Sequence, residues 1–521
     1  MATSTTLGTR RNAAQLHALT DVEREVRSND RSTRRKYLRD FVEAFRSYQG
    51  IIDEAELAAM IAPADIVLVA DYHALPASQR YAATLLERRA QPGDRPVVLG
   101  MEAIFSRHQH VVDAWWRREI CEEEFRQRIR FDLDWNYEWD PFYELLVTAR
   151  EHAEAIYGLD CMPRGDLRGA ATHDRHAAEK LAEISERHPD AVVMVLFGES
   201  HLAPGHLPQL LRQRLPEKRL LTVLQNVDTL YWSAAGELRE SVMSVRVDDG
   251  VVCVFNSTPL EKYEHYRMCL DRWSGNDDDP PDLNPAVYNV LQGVVRGLGI
   301  NQYSARNGTQ PKFLVDLLPE VYCNPREDHL RNLAGGAEDG WLKRLEERGC
   351  AYLPAANTLY IREFRMAYVA EEMTRFLHHA CRGLPACSRR SDEPVETQAA
   401  LLRLTVENCL GYFGSRLLCP TRPAIHDDDL AEVAPGETMT QMLDPSKLAS
   451  HLNAPQRLSQ QLGYKLGASL YSAYMNGRAT KSWLRSVFMS KLETPGSARR
   501  VCREITRKIA SSGKKPCASV R

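Results

Sequence analysis

Two short motifs in this sequence place an acidic residue two positions before a histidine, each directly after a run of apolar residues. Asp71-Tyr72-His73 follows the run 66–70, and Glu199-Ser200-His201 follows the run 192–198. A carboxylate and an imidazole at this spacing can act as a general base or bind a transition metal. Because the two motifs occur in equivalent settings about 130 residues apart, they indicate two related halves that present matching groups to one site.

Two further apolar runs also end in an acid, at Glu102 and at Asp160. The carboxyl ends of parallel strands meet at one edge of a sheet, so we expect His73, His201, Glu102 and Glu199 to share one cleft there. The alternative is that each acid caps the helix that follows its strand. Capping suits Asp160 best, and it does not explain the two histidines.

The residue types in this predicted cleft indicate two kinds of chemistry. As catalytic residues we predict Glu199, His201 and His73, with the imidazoles and carboxylates exchanging protons. A divalent transition metal such as zinc, iron or manganese would suit the same groups. The predicted metal ligands are Asp71, His73, Glu102, Glu199 and His201.

An aromatic stretch follows the Glu102 strand. Six of the thirteen residues at 131–143 are aromatic, among them Trp135 and Tyr137. Such rings pack in a core or a lid, or they line a pocket for a large planar ligand. As cofactor-binding residues we predict Trp135, Tyr137 and Tyr72.

Strands that alternate with helices between residues 66 and 255 predict an α/β fold with a doubly wound, mostly parallel sheet. We predict a helical N-terminal extension at 1–61, an α/β domain at 62–273, an acidic linker at 274–282, and a mainly α-helical C-terminal domain at 283–521. In that last domain, helical periodicity is predicted at 287–298, 314–321, 342–347, 361–381, 399–410 and 458–475.

The composition is that of an ordinary globular protein, with 44% hydrophobic residues and a net charge of −3. This charge indicates no general attraction to nucleic acid or to a membrane surface. Twelve cysteines occur without a CxxC pair, and we expect them to be reduced in a cytoplasmic protein without a signal peptide or a membrane span. A homo-oligomer is compatible with the sequence.

Residues 62–273 resemble the ChaN-type haem-binding proteins, within the superfamily of Tiki-type metalloproteases, TraB-like proteins and erythromycin esterases. The resemblance lies in the two acidic-x-His motifs, the strand that ends at Glu102, the aromatic stretch with Trp135, and the helix of Asp174. In the first motif, Ala70-Asp71 stands where the family usually has Gly-Glu.

The resemblance implies two functions from different classes. The first is a haem- or iron-binding protein, in which the aromatic rings contact the porphyrin and a Tyr or His binds the iron, with Tyr72 as one candidate. The second is a metal-dependent hydrolase, in which a bound metal activates water or Glu199 and His201 act as the base. A third interpretation is a domain whose cleft no longer does chemistry.

Overall fold

The structure is a computed structural model of the 521-residue chain. It describes residues 2–29, 36–91, 93–161, 169–235, 244–274, 281–300, 318–326, 329–330, 340–382, 397–420, 422, 455–492 and 494–510. These residues belong to two compact units, Val22–Pro281 and Met1–Asp21 with Asp282–Arg521. No helix among the described ranges is long and apolar enough to cross a membrane.

Unit Val22–Pro281 is built on an eight-stranded sheet. Its strands are β1 (Gly50–Ile52), β2 (Ile66–Asp71), β3 (Val97–Phe105), β4 (Ala155–Asp160), β5 (Val192–Gly198), β6 (Leu220–Gln225), β7 (Ser244–Asp248) and β8 (Val251–Val254). The strand order is β1-β7-β8-β6-β2-β5-β3-β4, and the six strands from β8 to β4 run parallel. The predicted α/β fold with a mostly parallel sheet is therefore confirmed.

The long apolar runs arise because the central strands are covered on both faces. In β2, Val67 and Val69 pack into one buried cluster, whereas Ile66 and Leu68 pack into another on the opposite face. Strand β5 lies between β2 and β3, so the chain returns to the middle of the sheet after forming its edge. This order brings the ends of β2, β5 and β3 side by side.

Helices flank this sheet. They are α2 (Lys36–Ala44), α3 (Glu54–Ile61), α4 (Pro76–Arg89), α5 (Gln109–Trp116), α6 (Glu122–Arg128), α7 (Phe131–Asp134), α8 (Asp140–His152), α9 (Ala170–Arg187), α10 (Leu207–Arg214), α11 (Asp228–Ala235) and α12 (Pro259–Ser274). Helix α1 (Ala2–Asn29) spans the boundary between the two units. Strand β1, from the segment that we predicted to be a helical extension, pairs with β7.

The second unit is mainly helical, as predicted. Its helices are α13 (Asn284–Leu298), α14 (Gly340–Arg348), α15 (Met366–Arg382), α16 (Thr397–Leu418), α17 (Pro455–Met475), α18 (Lys481–Phe488) and α19 (Pro495–Ala510). It also holds a small sheet that we did not predict, with β9 (Glu320–Cys323), β10 (Cys350–Leu353) and β11 (Thr358–Ile361). Each of these strands has four residues, too few for a distinct periodicity. At 314–321 we predicted a helix. Residues 320 and 321 belong instead to strand β9, and residues 314–317 lie outside the described residues.

Candidate functional site

The candidate site lies where β2 and β5 end, beside Glu102 of β3. We predicted that this third strand ends at Glu102, but it continues to Phe105. Asp71 of β2 pairs with Gly198 of β5 in the parallel ladder, and β5 pairs with β3 on its other side. Glu102 and the residues at the ends of β2 and β5 therefore lie on neighbouring strands, which are about 4.8 Å apart.

Asp71 holds the imidazole of His73. Nδ1 of His73 lies 2.7 Å from Oδ2 of Asp71, and the side-chain amide of Gln79 donates a hydrogen bond to the other carboxylate oxygen. Asp71 is thus engaged by two neighbours and fixes the orientation of the ring. Nε2 of His73 is left to face Glu102, whose Oε2 lies 3.7 Å away.

Glu102 is held in turn by the backbone of β5, because its Oε2 accepts the N–H of Gly198. A Cβ atom at Gly198 would lie 3.0 Å from Oε2 of Glu102, 3.2 Å from Nε2 of His73 and 3.5 Å from Cδ2 of His201. Three of the predicted site residues therefore converge on a position where only a residue without a side chain fits.

His201 has an aspartate partner of its own. Its Nδ1 lies 2.6 Å from Oδ1 of Asp174 on α9, and both side chains are buried. Burial alone would lower the pKa of His201, but the hydrogen bond with Asp174 and the nearby charge of Glu102 raise it above its ordinary value. His201 and His73 thus share one arrangement, in which Nδ1 is bound to an aspartate and Nε2 makes no hydrogen bond within the described residues.

Helix α2 adds residues that we did not predict. The hydroxyl of Tyr37 donates to Oδ2 of Asp174 at 2.8 Å, and its ring stacks on His206 with the centroids 3.8 Å apart. His206 is bonded in turn to Asp40, at 3.1 Å. Burial and the charge of Asp174 raise the pKa of Tyr37, so its hydroxyl stays protonated. No spacing in the sequence links residue 37 to residue 174.

A third histidine–aspartate pair lies nearby. Nδ1 of His173 is 2.6 Å from Oδ1 of Asp160, at the end of β4. This bond raises the pKa of His173 against the opposite effect of burial, and the charge of Glu102 acts in the same direction. Asp160 therefore has a histidine partner, a role that we did not predict for it.

Glu199 does not join His73 and His201. Its carboxylate accepts two hydrogen bonds from Lys262 on α12, at 3.0 and 3.1 Å. Burial alone would lower the pKa of Lys262, but the charges of Glu199 and Asp228 raise it, so the lysine stays charged. Tyr72 also contacts this lysine, because its ring centroid lies 4.4 Å from Nζ of Lys262. Glu199 and Tyr72 thus form a cluster distinct from the one at Gly198.

The two predicted cofactor-binding aromatics pack on His73. The ring centroids of Trp135 and Tyr137 each lie 5.3 Å from that of His73, and both residues are at most 5% exposed. In this conformation they cover the imidazole and belong to the core on that face of the sheet.

The site offers imidazoles that could bind an iron, but no preformed set of metal ligands within the described residues. In the part of the chain that the structure describes, no group of three or more His, Cys, Asp or Glu residues is placed to hold a metal ion. The five predicted metal ligands do not form such a group, because Asp71 and Glu199 are turned to partners of their own. An imidazole with Nδ1 on a carboxylate does suit an axial iron ligand through Nε2, and both His73 and His201 meet that condition.

Residues 57–171 match a family of known proteins, described as haem-binding uptake, Tiki superfamily, ChaN. The resemblance to the ChaN family is confirmed over these residues. The matched segment contains Asp71, His73 and Glu102, whereas Asp174 and His201 lie beyond it.

A solved structure described as cofacial haem binding to ChaN of Campylobacter jejuni is also similar to this chain. The two are 16% identical, the match covers 34% of this chain and 87% of that one, and the TM-score is 0.27. No curated protein matches the sequence.

Proposed function

We propose that this protein binds haem at the sheet edge around Gly198, with an imidazole on the iron. The observation that carries the proposal is that the ChaN-family segment contains a histidine, His73, whose Nδ1 is fixed by Asp71. A carboxylate on Nδ1 makes Nε2 a stronger ligand. His201 has the same arrangement and is the second candidate for the iron.

The aromatic rings set a condition on this proposal. Trp135 and Tyr137 cover His73, so a porphyrin that reaches this imidazole must exchange contacts with them. We propose that these two rings stack on the porphyrin once they leave the imidazole, since aromatic faces attract flat π-systems. Tyr72 contacts Lys262 in the other cluster and is the weaker candidate for the iron.

A haemin titration tests the proposal. We expect the wild-type protein to give a saturable Soret shift, and His73→Ala and Trp135→Ala each to weaken binding. His188→Ala is the matched control, because His188 also has an acidic neighbour, Glu154 at 3.6 Å, but lies outside the site. Non-saturating association of haemin, or equal haemin affinity in all three variants, would refute the proposed haem binding.

The second candidate function is hydrolysis. One observation favours it, because a histidine whose Nδ1 is bound to a carboxylate can act as a general base through Nε2. A metal-dependent form has less support, since the described residues hold no metal-binding group. A panel of simple esters with haem-free protein, with and without a chelator, tests it. Turnover that is lost in His73→Ala but unaffected by the chelator would favour a metal-free hydrolase.

The location and partners of the protein are also proposals. The ten cysteines that the structure describes are free thiols, which suits a reducing compartment such as the cytoplasm. We propose a small-molecule ligand as the partner, with no role for nucleic acid. Sizing of the purified protein with and without haemin would show whether the ligand joins two copies.

A further inference from the structure

A second set of charged side chains is buried in the helical unit, around the carboxylate of Glu371 on α15. Glu371 is fully buried, and three arginines reach it: Arg375 at 2.7 Å, Arg422 at 2.8 Å and Arg348 at 3.0 Å. The hydroxyl of Tyr464 donates to both of its oxygens at 2.7 Å. Burial raises the pKa of Glu371, but the arginines outweigh it and hold that pKa well below its usual range.

The arginines outnumber the buried acids around them. The neighbouring carboxylate, Glu372, is also buried, and its Oε1 lies 3.3 Å from Nε of Arg375. Its other oxygen accepts the backbone N–H of Tyr352 at 3.0 Å. Among the described residues, three buried guanidinium groups thus face two buried carboxylates, and a fourth arginine, Arg344, lies 3.1 Å from Glu372. The described part of this cluster therefore holds more positive than negative charge. An uncompensated buried charge is costly, and proteins rarely keep one without a partner.

Two of the arginines, Arg348 and Arg422, have N–H donors without an acceptor among the described residues. Among the residues that the structure describes, Arg348 donates a hydrogen bond to Glu371 alone, through Nη1. Arg422 donates through Nη1 to Ser415 at 2.6 Å and has Nη2 on Glu371 and near Tyr464. A guanidinium group has five N–H donors, so most of those on Arg348 and about half of those on Arg422 have no acceptor among the described residues.

The same two arginines lie side by side. Both contact the carboxylate of Glu371: Arg348 lies at its Oε1 and Arg422 at its Oε2. Both also lie over the same two aromatic rings, 5.7 and 5.1 Å from the centroid of Tyr368 and 5.3 Å each from that of Tyr464. Contacts with aromatic faces fix the planes of the guanidinium groups, and so fix the directions of their unused N–H bonds.

We propose that Arg348 and Arg422 bind an oxyanion, the phosphate or carboxylate group of a small ligand, in the helical unit. Planar guanidinium groups bind both kinds of anion through paired hydrogen bonds. The anion would supply the missing negative charge and accept the unused N–H donors. Glu371 orients the two arginines, and the tyrosines hold their planes. This proposal does not depend on haem binding.

The alternative is a salt-bridge network with a purely structural role. Both interpretations predict that loss of Arg422 destabilises the protein, so stability alone does not distinguish them. They differ in the response to an added anion. A structural network is already complete, whereas a binding site is stabilised by its ligand in proportion to the logarithm of ligand concentration.

The experiment uses the full chain and measures melting temperature and heat of binding at constant ionic strength. Inorganic phosphate, pyrophosphate, succinate and citrate are titrated, with chloride as the reference for ionic strength. We expect a saturable rise in melting temperature with the two phosphates or with the two carboxylates. The class of anion that gives the larger rise identifies the class of the ligand. In Arg348→Gln the affinity should fall roughly tenfold to a hundredfold, as for the loss of a charged hydrogen bond.

Arg403→Gln is the matched control, since it removes the same charge from an exposed arginine of the same unit. It should bind the anion as the wild type does. If Arg348→Gln does not fold, Arg348→Lys replaces it, because lysine keeps the charge but not the paired donors. No saturable response to any of the four anions, or an equal response in the wild type and the Arg348 variant, would overturn the proposal.

Discussion

Nε2 of His73 lies 3.7 Å from Oε2 of Glu102, and the two groups approach each other over the backbone of Gly198. Each is positioned by a different partner, the imidazole by Asp71 and the carboxylate by the N–H of Gly198. The site is therefore defined by backbone geometry as much as by side chains. Its most sensitive position is Gly198, which has no side chain of its own and binds Glu102 through its backbone N–H.

We first predict that Gly198→Ala disrupts the site. The added methyl group would lie 3.0 Å from Oε2 of Glu102 and 3.2 Å from Nε2 of His73, so both must move. Overpacking of this kind costs about 1–3 kcal/mol of unfolding free energy. Urea denaturation measures the cost, and a haemin titration measures the loss of binding. Gly205→Ala is the control, since its Cβ would have its nearest neighbour at 3.9 Å, and it should change neither quantity. Unchanged haemin binding in Gly198→Ala would contradict the assignment.

The ends of β2 and β5 could be predicted from the sequence, because buried parallel strands have continuous apolar runs and end on one edge. The end of β3 could not, since this strand continues past Glu102 to Phe105. The direction of the side chains could not. Glu199 has the same motif position as Asp71, yet it turns to Lys262, which lies 63 positions further along the chain. Long-range partners of this kind carry no local signal. The aspartate partner of His201 is a similar case, since Asp174 lies on a helix 27 positions earlier.

The second prediction concerns helix α2, which lies outside the segment that matches the ChaN family. Tyr37→Phe removes the hydrogen bond to Asp174 but keeps the ring that stacks on His206. We expect it to lower the unfolding free energy by roughly 1 kcal/mol, the usual value of one hydrogen bond. Tyr37→Ala removes the ring as well and should cost clearly more. Thermal and urea unfolding of the two variants separate the contributions. Equal losses would show that the ring contributes nothing beyond its hydroxyl, and no loss in Tyr37→Phe would show that the hydroxyl contributes nothing.

The third prediction is a pH dependence that arises from His173. Its pKa is raised in the folded state, chiefly by the hydrogen bond with Asp160. A raised pKa gives a stabilisation that is complete below the unfolded value, about 6.5, and disappears as the pH rises through the folded value. The unfolding free energies of the wild type and His173→Gln should therefore differ most at acidic pH and converge above neutrality. Urea denaturation from pH 5 to pH 9 measures this difference. A constant difference across the range would show that the pair does not titrate with folding.

The fourth prediction concerns the division of the chain. We proposed a linker at 274–282, and residues 275–280 of it lie outside the described residues. Limited digestion with a protease of broad specificity should cut within 274–282 first and leave fragments that still melt cooperatively. Mass spectrometry locates the cut, and circular dichroism follows the melt. Protection of 274–282 while other positions are cut would contradict the proposed division.

The last prediction separates a shared site from two independent structural histidines. His73 and His201 both approach Gly198, and each is fixed by its own aspartate. If both act on one ligand, His73→Ala and His201→Ala should each abolish most of the haemin binding, and the double variant should lose little more. The interaction free energy from this cycle should then be about 0.5–3 kcal/mol. If the histidines are independent, their costs should add, in binding as in stability. His188→Ala combined with either variant is the control, and it should be additive in both measurements.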